Sequence, residues 1–374
     1  MQNKKSKILD DKFMKRVIQI ASRHKGQASP DPTVAAIIVK NGKIISEGFH
    51  NKHKSPHAES YAIAKAKDKA KGATLYVNLE PCCHWGNTPP CTENIIKSGI
   101  KRVVAAMKDP NPLVNGKGFK ELLKAGIEVK VGVREKEAKD LNENFIKHIS
   151  QKLPFVILKI AMSLDGKIAT RTKQSKWISH EESQKYVHKL RSENDAVLIG
   201  KNTAIIDNPL LTARKVKTQK QPVKVIVDSK LSMPIDRKFI NDKSSQTIIA
   251  TTNLAKKEKI YQFEKKGCKI IIVPRKKNKV NLKKLLFILA KMNITSVLVE
   301  GGSQIAGSLI DENLVDKIVF IISPKIIGGK NAIPSIAGNG AKSLKEATKI
   351  KNWRVKKSGE DIIIEGCVDK GDKK

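Results

Sequence analysis

The chain has 374 residues, 40% of them hydrophobic, which is enough to build the cores of two domains, so its high charge does not signal disorder. The formal charge of +37 is spread along the whole chain, and only 4% of residues are aromatic, which leaves few rings to stack on bases and makes a nucleic-acid partner unexpected. No run approaches the ~20 apolar residues of a membrane span, the first residues lack the apolar centre of a signal peptide, and five scattered cysteines form no disulfide framework, so a cytoplasmic protein without a membrane partner is expected.

Apolar residues at Phe13, Met14, Val17, Ile18, Ile20 and Ala21 have a helical period and predict a helix over Asp11 to Arg23. After the turn Ser29-Pro30-Asp31-Pro32 come a strand Val34 to Val39, a hairpin at Asn41-Gly42 and a return strand Lys43 to Gly48. Pro56 suits a first helical turn, which predicts a helix from His57 and Glu59 to about Lys71. Ala73 to Glu80 reads as a strand, Thr92 to Lys97 as a helix and Arg102 to Ala106 as a strand. The loop Asp109 to Gly118, a helix ending at Ala125 and a strand Ile127 to Val131 follow. Glu135 to His148 reads as one helix leaving the first domain, and a boundary near Lys152-Leu153-Pro154 gives domains 1–150 and 151–374. Beyond it, strands at Phe155 to Ala161, Ala196 to Ile199, Val223 to Val227, Thr247 to Thr251, Lys269 to Val273, Ser296 to Val299 and Lys317 to Ile322 alternate with helical stretches, which implies an α/β sheet.

His57, Glu59 and the thiols of Cys82, Cys83 and Cys91 hold the chemistry of the first half. One imidazole with two thiolates suits Zn²⁺ and keeps a fourth position for water, whose pKa the metal lowers to roughly 7. Glu59, two residues beyond His57 and not a ligand, is the expected proton shuttle to a leaving amine. Pro89 and Pro90 put Cys91 at a helix start, where thiolates are favoured. In the second half, Glu300-Gly301-Gly302-Ser303 joins a strand to a helix, a turn at which backbone N–H groups can meet a pyrophosphate.

The run Pro56-His57-Ala58-Glu59 with Pro81-Cys82-x-His84-x-Gly86-x-Thr88-Pro89-Pro90-Cys91 resembles the deaminase half of the bifunctional riboflavin-biosynthesis deaminase-reductases. Lys159-x-Ala161-x-Ser163-Leu164-Asp165-Gly166, Ser175-x-Trp177-Ile178, His188-x-Leu190-Arg191, Gly200-x-x-Thr203-x-x-x-Asp207-x-Pro209-x-Leu211-x-x-Arg214, Val227-Asp228-Ser229 and Glu300-Gly301-Gly302 resemble the reductase half. The likeness runs from about Asp11 to Gly366. It implies an α/β protein with a cytidine-deaminase-like mixed sheet, helices on both faces, followed by a dihydrofolate-reductase-like α/β domain.

The implied activity is hydrolytic removal of the 2-amino group of 2,5-diamino-6-ribosylamino-4(3H)-pyrimidinone 5′-phosphate, then NADPH-dependent reduction of its ribosyl group. The resemblance implies zinc on His57, Cys82 and Cys91, with Glu59 catalytic. It implies NADPH on Ala161, Trp177, Thr203, Asp207, Ser229 and the run Gly302, Ser303, Gln304, Ile305, Ala306, Gly307 and Ser308. Lys159, Ser175, Arg191, Leu211, Arg214 and Glu300 are implied to hold the phosphorylated pyrimidine. His50, His84, Asn115 and Lys117 are further expected substrate contacts, and a homo-oligomer is expected. Three residues depart from the family pattern: Asp31 stands for asparagine, Asn87 for a basic residue and Ser232 for arginine. The rival reading is a nucleic-acid-editing zinc deaminase with a basic RNA-gripping second domain.

Overall fold

In the computed structural model, which describes residues 2–176 and 178–371, the chain divides into two compact units, Met1–Lys152 and Leu153–Lys374. The first unit runs α1 (Gln2–Arg23), β1 (Ala35–Lys40), β2 (Lys43–Phe49), α2 (Ala58–Ala66), β3 (Thr74–Val77), α3 (Cys91–Lys97), β4 (Arg102–Ala105), α4 (Lys117–Lys124), β5 (Glu128–Val131), α5 (Glu135–Leu141) and α6 (Glu143–Gln151). Its sheet has the order β2-β1-β3-β4-β5, with β1 antiparallel to both neighbours and β3, β4 and β5 parallel.

Several elements differ from the sequence reading: the helix expected to reach about Lys71 closes at Ala66 and continues as a 3-10 turn, Lys67–Ala70, and three further differences each lie beside a buried polar side chain. Helix α1 begins at Gln2 and not near Asp11. Within it Asp10 is buried, and its carboxylate accepts hydrogen bonds from Tyr76 Oη at 2.9 Å, Arg102 at 2.8 and 3.0 Å and Lys130 at 2.7 Å. Burial alone would raise its pKa, yet these donors hold it down at about 2. Strand β3 stops at Val77 because the Asn78 side chain takes over the pairing, accepting from Ala35 N and donating to Thr33 O, both at 2.8 Å. The expected single helix after Glu135 is two, broken at Asn142, whose Oδ1 accepts from Thr33 N at 2.8 Å.

Helix α2 lies so close to β2 that a Cβ on Gly48 would come within 2.2 Å of Ala58 O and 2.7 Å of Ala62 N. Only glycine permits this approach, and it sets the start of the helix that holds Glu59. Gly48→Ala is expected to destabilise the first unit by roughly 1–3 kcal/mol of overpacking. Urea unfolding of the variant beside the wild type checks this.

The second unit contains β6 (Phe155–Ser163), β7 (Lys167–Ala169), β8 (Ala196–Gly200), β9 (Val223–Val227), β10 (Thr247–Thr251), β11 (Lys269–Ile272), β12 (Arg275–Lys276), β13 (Lys279–Val280), β14 (Ser296–Glu300), β15 (Lys317–Ser323), β16 (Ile333–Pro334), β17 (Ile350–Ser358) and β18 (Asp361–Val368). Its helices are α7 (Glu181–Glu193), α8 (Lys201–Ile206), α9 (Lys238–Asn241), α10 (Lys257–Lys265), α11 (Leu282–Lys291) and α12 (Ser303–Asp311). The main sheet has the order β11-β10-β9-β8-β14-β6-β15-β18-β17, parallel as far as β15 and antiparallel through the last two strands.

The alternation of side chains divides each central strand between two cores. Val156, Leu158 and Ile160 pack with Leu285 and Leu289 of α11 and Leu309 of α12, whereas Phe155 and Ile157 pack with Val187 and Leu190 of α7. With both faces covered, these strands read as unbroken apolar runs. The β17–β18 hairpin has no sequence-based counterpart. Lys351 through Lys357 are all exposed, so β17 buries neither face and shows no period of two.

Candidate active sites

The first site gathers where two helices begin. His57 is the capping residue of α2, Glu59 lies in that helix's first turn, Cys91 opens α3 after Pro90, and Cys82 sits in the loop between β3 and α3. His57 Nδ1 lies 3.3 Å from Cys91 Sγ and 3.4 Å from Cys82 Sγ, and the three donor atoms fall within 4.8 Å of one another. A tetrahedral zinc with bonds of ~2.3 Å to sulfur and ~2.05 Å to nitrogen sets N···S edges of ~3.5 Å, so the donor set fits that metal. Thr88 Oγ1 stands 3.4 Å from His57 Nε2 and fixes the ring's other edge, the usual support for a ligating histidine. Cys91 N–H donates to Cys82 Sγ at 3.4 Å. The hydrogen bond with Cys91 outweighs burial and, together with His57, pulls the Cys82 thiol down to about 4. Cys83 faces away, toward Leu113 O.

Glu59 is 3% exposed, and burial pushes its pKa above the ordinary carboxylate value, although His57 opposes the shift. Around this core, His50 is buried and its ring stands edge-on to His57, while His84 Nδ1 is buried without a hydrogen-bond partner among the described residues. Asn87 is exposed, and Lys117 Nζ folds back onto Pro112 O at 3.2 Å. Two supporting residues escaped the sequence reading. Glu80, buried, accepts from Asp109 N at 3.1 Å, Gly116 N at 2.9 Å and Phe119 N at 3.3 Å, so it shapes the loop that contains Asn115. Thr88 is the other. The only signal for Glu80 was an acidic residue at the end of an apolar strand.

The second site lies at the ends of β6, β8 and β14. Glu300 closes β14 and pairs in register with Lys159 of β6. Arg191 from α7 grips Glu300 with Nε at 2.6 Å and Nη2 at 2.8 Å, and gives Nη1 to Thr212 O at 3.0 Å. Lys159 Nζ stands 3.7 Å from Glu300 Oε2. Burial alone would raise the pKa of Glu300, but Arg191 and Lys159 hold it down at about 2. Leu211, buried with φ 61°, turns the chain so that Thr212 O meets Arg191. Arg191 is thereby committed to Glu300, whereas the exposed Arg214 guanidinium has no acceptor among the described residues. Ser175 Oγ donates to Asp207 Oδ1 at 2.7 Å.

The glycine turn borders this cluster. Gly302 has φ 83°, and a Cβ there would lie 3.2 Å from Thr203 Oγ1. Ser303 Oγ is buried without a partner among the described residues, in the first turn of α12, where helix N–H groups have no partner within the helix. A bare turn, an orphan hydroxyl and unpaired N–H groups fit a pyrophosphate. Further along, Ile305 and Ala306 belong to the core, Gly307 abuts the Ala337 backbone and Ser308 Oγ bonds Gln304 O, so Gln304 is the last residue of the run on the open turn. Ala161 is half-buried on β6. Ser229 Oγ is taken up by Val280 N at 3.1 Å. Ser232 Oγ accepts from Lys201 Nζ at 3.3 Å, so a lysine stands beside the place where arginine was expected. Trp177 lies outside the described residues.

Comparison with known proteins agrees with this division. Residues 154–364 match the family described as the RibD C-terminal domain, and residues 7–107 match the cytidine and deoxycytidylate deaminase zinc-binding region. The chain is 46% identical to riboflavin biosynthesis protein RibD of Aquifex aeolicus over 95% of this chain and 98% of that one. It is 35% identical to the Escherichia coli protein of the same name, again over 95% and 98%. Its structure is similar to that of a diaminohydroxyphosphoribosylaminopyrimidine deaminase/5-amino-6-(5-phosphoribosylamino)uracil reductase from Thermotoga maritima, with a TM-score of 0.86 and 36% identity over 97% of this chain and 99% of that chain. The chain belongs to the RibD family of riboflavin-biosynthesis proteins, which joins a zinc deaminase to a reductase.

Proposed function

We infer that the chain is a bifunctional enzyme of riboflavin biosynthesis. It deaminates 2,5-diamino-6-ribosylamino-4(3H)-pyrimidinone 5′-phosphate and then reduces the ribosyl group to give 5-amino-6-ribitylaminouracil 5′-phosphate. The observation that carries this reading is the His57, Cys82 and Cys91 donor set with the buried carboxyl of Glu59 beside it. We assign deamination to residues 1–150 and reduction to 151–374.

In the first step His57, Cys82 and Cys91 hold zinc, which when bound is the Lewis acid that makes water acidic enough to attack at neutral pH. Glu59 accepts the proton that water loses and passes it to the ring nitrogen and the departing ammonia. Thr88 keeps the His57 ring oriented. In the second step NADPH, when bound, would supply hydride to C1 of the ring-opened sugar, present as an imine whose nitrogen takes a proton from water. Gly302, Ser303 and Gln304 receive the pyrophosphate, with Ala161, Thr203, Asp207 and Ser229 along the rest of the cofactor. Lys159 and Ser175 face the sugar, and Arg191 serves by fixing Glu300. No single residue stands out as a proton donor here, so positioning supplies the rate.

Of the two arginines assigned to the substrate, Arg191 is held by Glu300 and Thr212 O, which leaves Arg214 to take the phosphate. Arg214→Ala is expected to raise KM about tenfold or more with kcat little changed, since a phosphate contact is made equally in the ground and transition states. Steady-state reduction of the deaminated intermediate measures this.

A cytoplasmic homo-oligomer is the state we propose. Among the described residues no helix is long and apolar enough to cross a membrane, and no disulfide joins any of the five cysteines. The sheet ends in β17, an edge strand whose Trp353 and Val355 are 63% and 54% exposed, a surface suited to a second copy. No nucleic-acid partner enters this reading.

Mass-resolved product analysis tests both halves. Without NADPH the diaminopyrimidine should become the deaminated ribosyl compound, and with NADPH a product two hydrogens heavier. Deamination without NADPH consumption would remove the reductase assignment. Tight RNA binding that falls steeply with salt, without either product, would favour the editing alternative.

A further inference from the structure

The turn before β1 and the loop after β2 meet at a single carboxylate oxygen. Asp31 Oδ2 lies 3.1 Å from His50 Nε2 and 2.8 Å from His53 Nδ1, within hydrogen-bond distance of both rings. His50, 3% exposed, also bonds through Nδ1 to Pro56 O at 3.1 Å, the carbonyl immediately before His57. Its ring meets that of His57 in a T-shaped contact at 5.2 Å between centroids. A chain of contacts therefore runs from Asp31 through His50 to the side chain of His57 and to the carbonyl that precedes it.

We propose that Asp31 is a positioning residue of the deaminase site, acting through His50, and not a group that grips the pyrimidine ring. The inference rests on the deaminase reading of the first unit. Two fixed points, Pro56 O and Asp31 Oδ2, set the plane of the His50 imidazole, and that plane sets the edge it offers to His57. Without Asp31, a buried ring nitrogen loses its partner, an arrangement costly enough that the ring must turn to find another. Of the two carboxylate oxygens of Asp31, it is Oδ2 that both imidazoles share.

The test compares the full chain with Asp31→Ala and Asp31→Asn, measuring kcat and KM for ammonia release, zinc content, and the visible bands of the cobalt-substituted protein. NADPH-dependent reduction of the deaminated intermediate by the same samples reports that the chain is folded. Asp31→Ala should lower kcat about 10–100-fold, the range for loss of a group that orients a metal ligand, with KM little changed and the cobalt bands shifted. Asp31→Asn, whose side-chain oxygen can still accept from both imidazoles, should restore most of kcat and the wild-type bands. A rise in KM at constant kcat in Asp31→Ala would make Asp31 a direct ring contact and overturn the proposal, as would unchanged kinetics in that variant. If the wild-type chain releases no ammonia, the deaminase reading itself fails, an outcome distinct from either.

Discussion

Glu59→Gln should abolish ammonia release while zinc stays bound, with a loss of about 10²–10⁴-fold or more, the worth of a general acid–base group. Glutamine keeps the shape and a hydrogen-bonding oxygen, so His57, Cys82 and Cys91 have no reason to move, but an amide cannot take up and return a proton. Glu59 is buried, His57 is engaged by the thiols on one edge and Thr88 on the other, and the Glu80 carboxylate is filled by three backbone N–H groups. Metal analysis should find zinc as in the wild type, and reduction of the deaminated intermediate should run at the wild-type rate. Ammonia release at the wild-type rate would remove Glu59 from the mechanism.

How far the sequence reveals such a site depends on how local the interactions are. His57 and Glu59 share one helical turn, and Cys91 follows prolines that start a helix, so the metal cluster is legible as a motif before any fold is known. The α/β class and the central strands of the second unit are legible for a similar reason, since burial on both faces leaves unbroken apolar runs. What the sequence conceals are choices of partner across long separations. Nothing near Asp31 indicates that it will hold two histidines about twenty positions away, and nothing near Asp10 points to Arg102 and Lys130. The resemblance assigned the whole run Gly302 to Ser308 to cofactor. The helical period of Ile305, Ala306 and Leu309 turns those side chains inward, whereas Gly302, Gln304 and Ser308 keep some exposure.

The same distinction between a motif and its partners governs Glu300, where substitution should affect stability as well as rate. Glu300→Gln leaves the Arg191 guanidinium and the Lys159 ammonium, both largely buried, around a neutral amide whose NH₂ group must face one of them. Breaking a buried ion pair by removing one partner costs about 3–5 kcal/mol, because the remaining charge has no counter-ion. Reductase activity should fall with it, since Arg191 loses the anchor that keeps it from the substrate phosphate and Lys159 loses the carboxylate 3.7 Å from its Nζ. Ammonia release from the first unit should persist.

The sign of the pH dependence follows from the same contacts. The folded-state pKa of Glu300 lies at about 2, below its ordinary value of 4.5, so its contribution is fully present above about 4.5 and is lost as pH falls toward 2. Urea unfolding of the second unit at neutral pH should therefore separate wild type from Glu300→Gln widely, and the gap should narrow on acidification through that window. Adding Lys159→Met to Glu300→Gln removes one of the two uncompensated cations, so the double variant should recover part of the lost stability without recovering activity. An equal gap at pH 7 and pH 3, or a double variant no more stable than the single, would mean that the Arg191–Glu300–Lys159 cluster does not stabilise the fold through its charges.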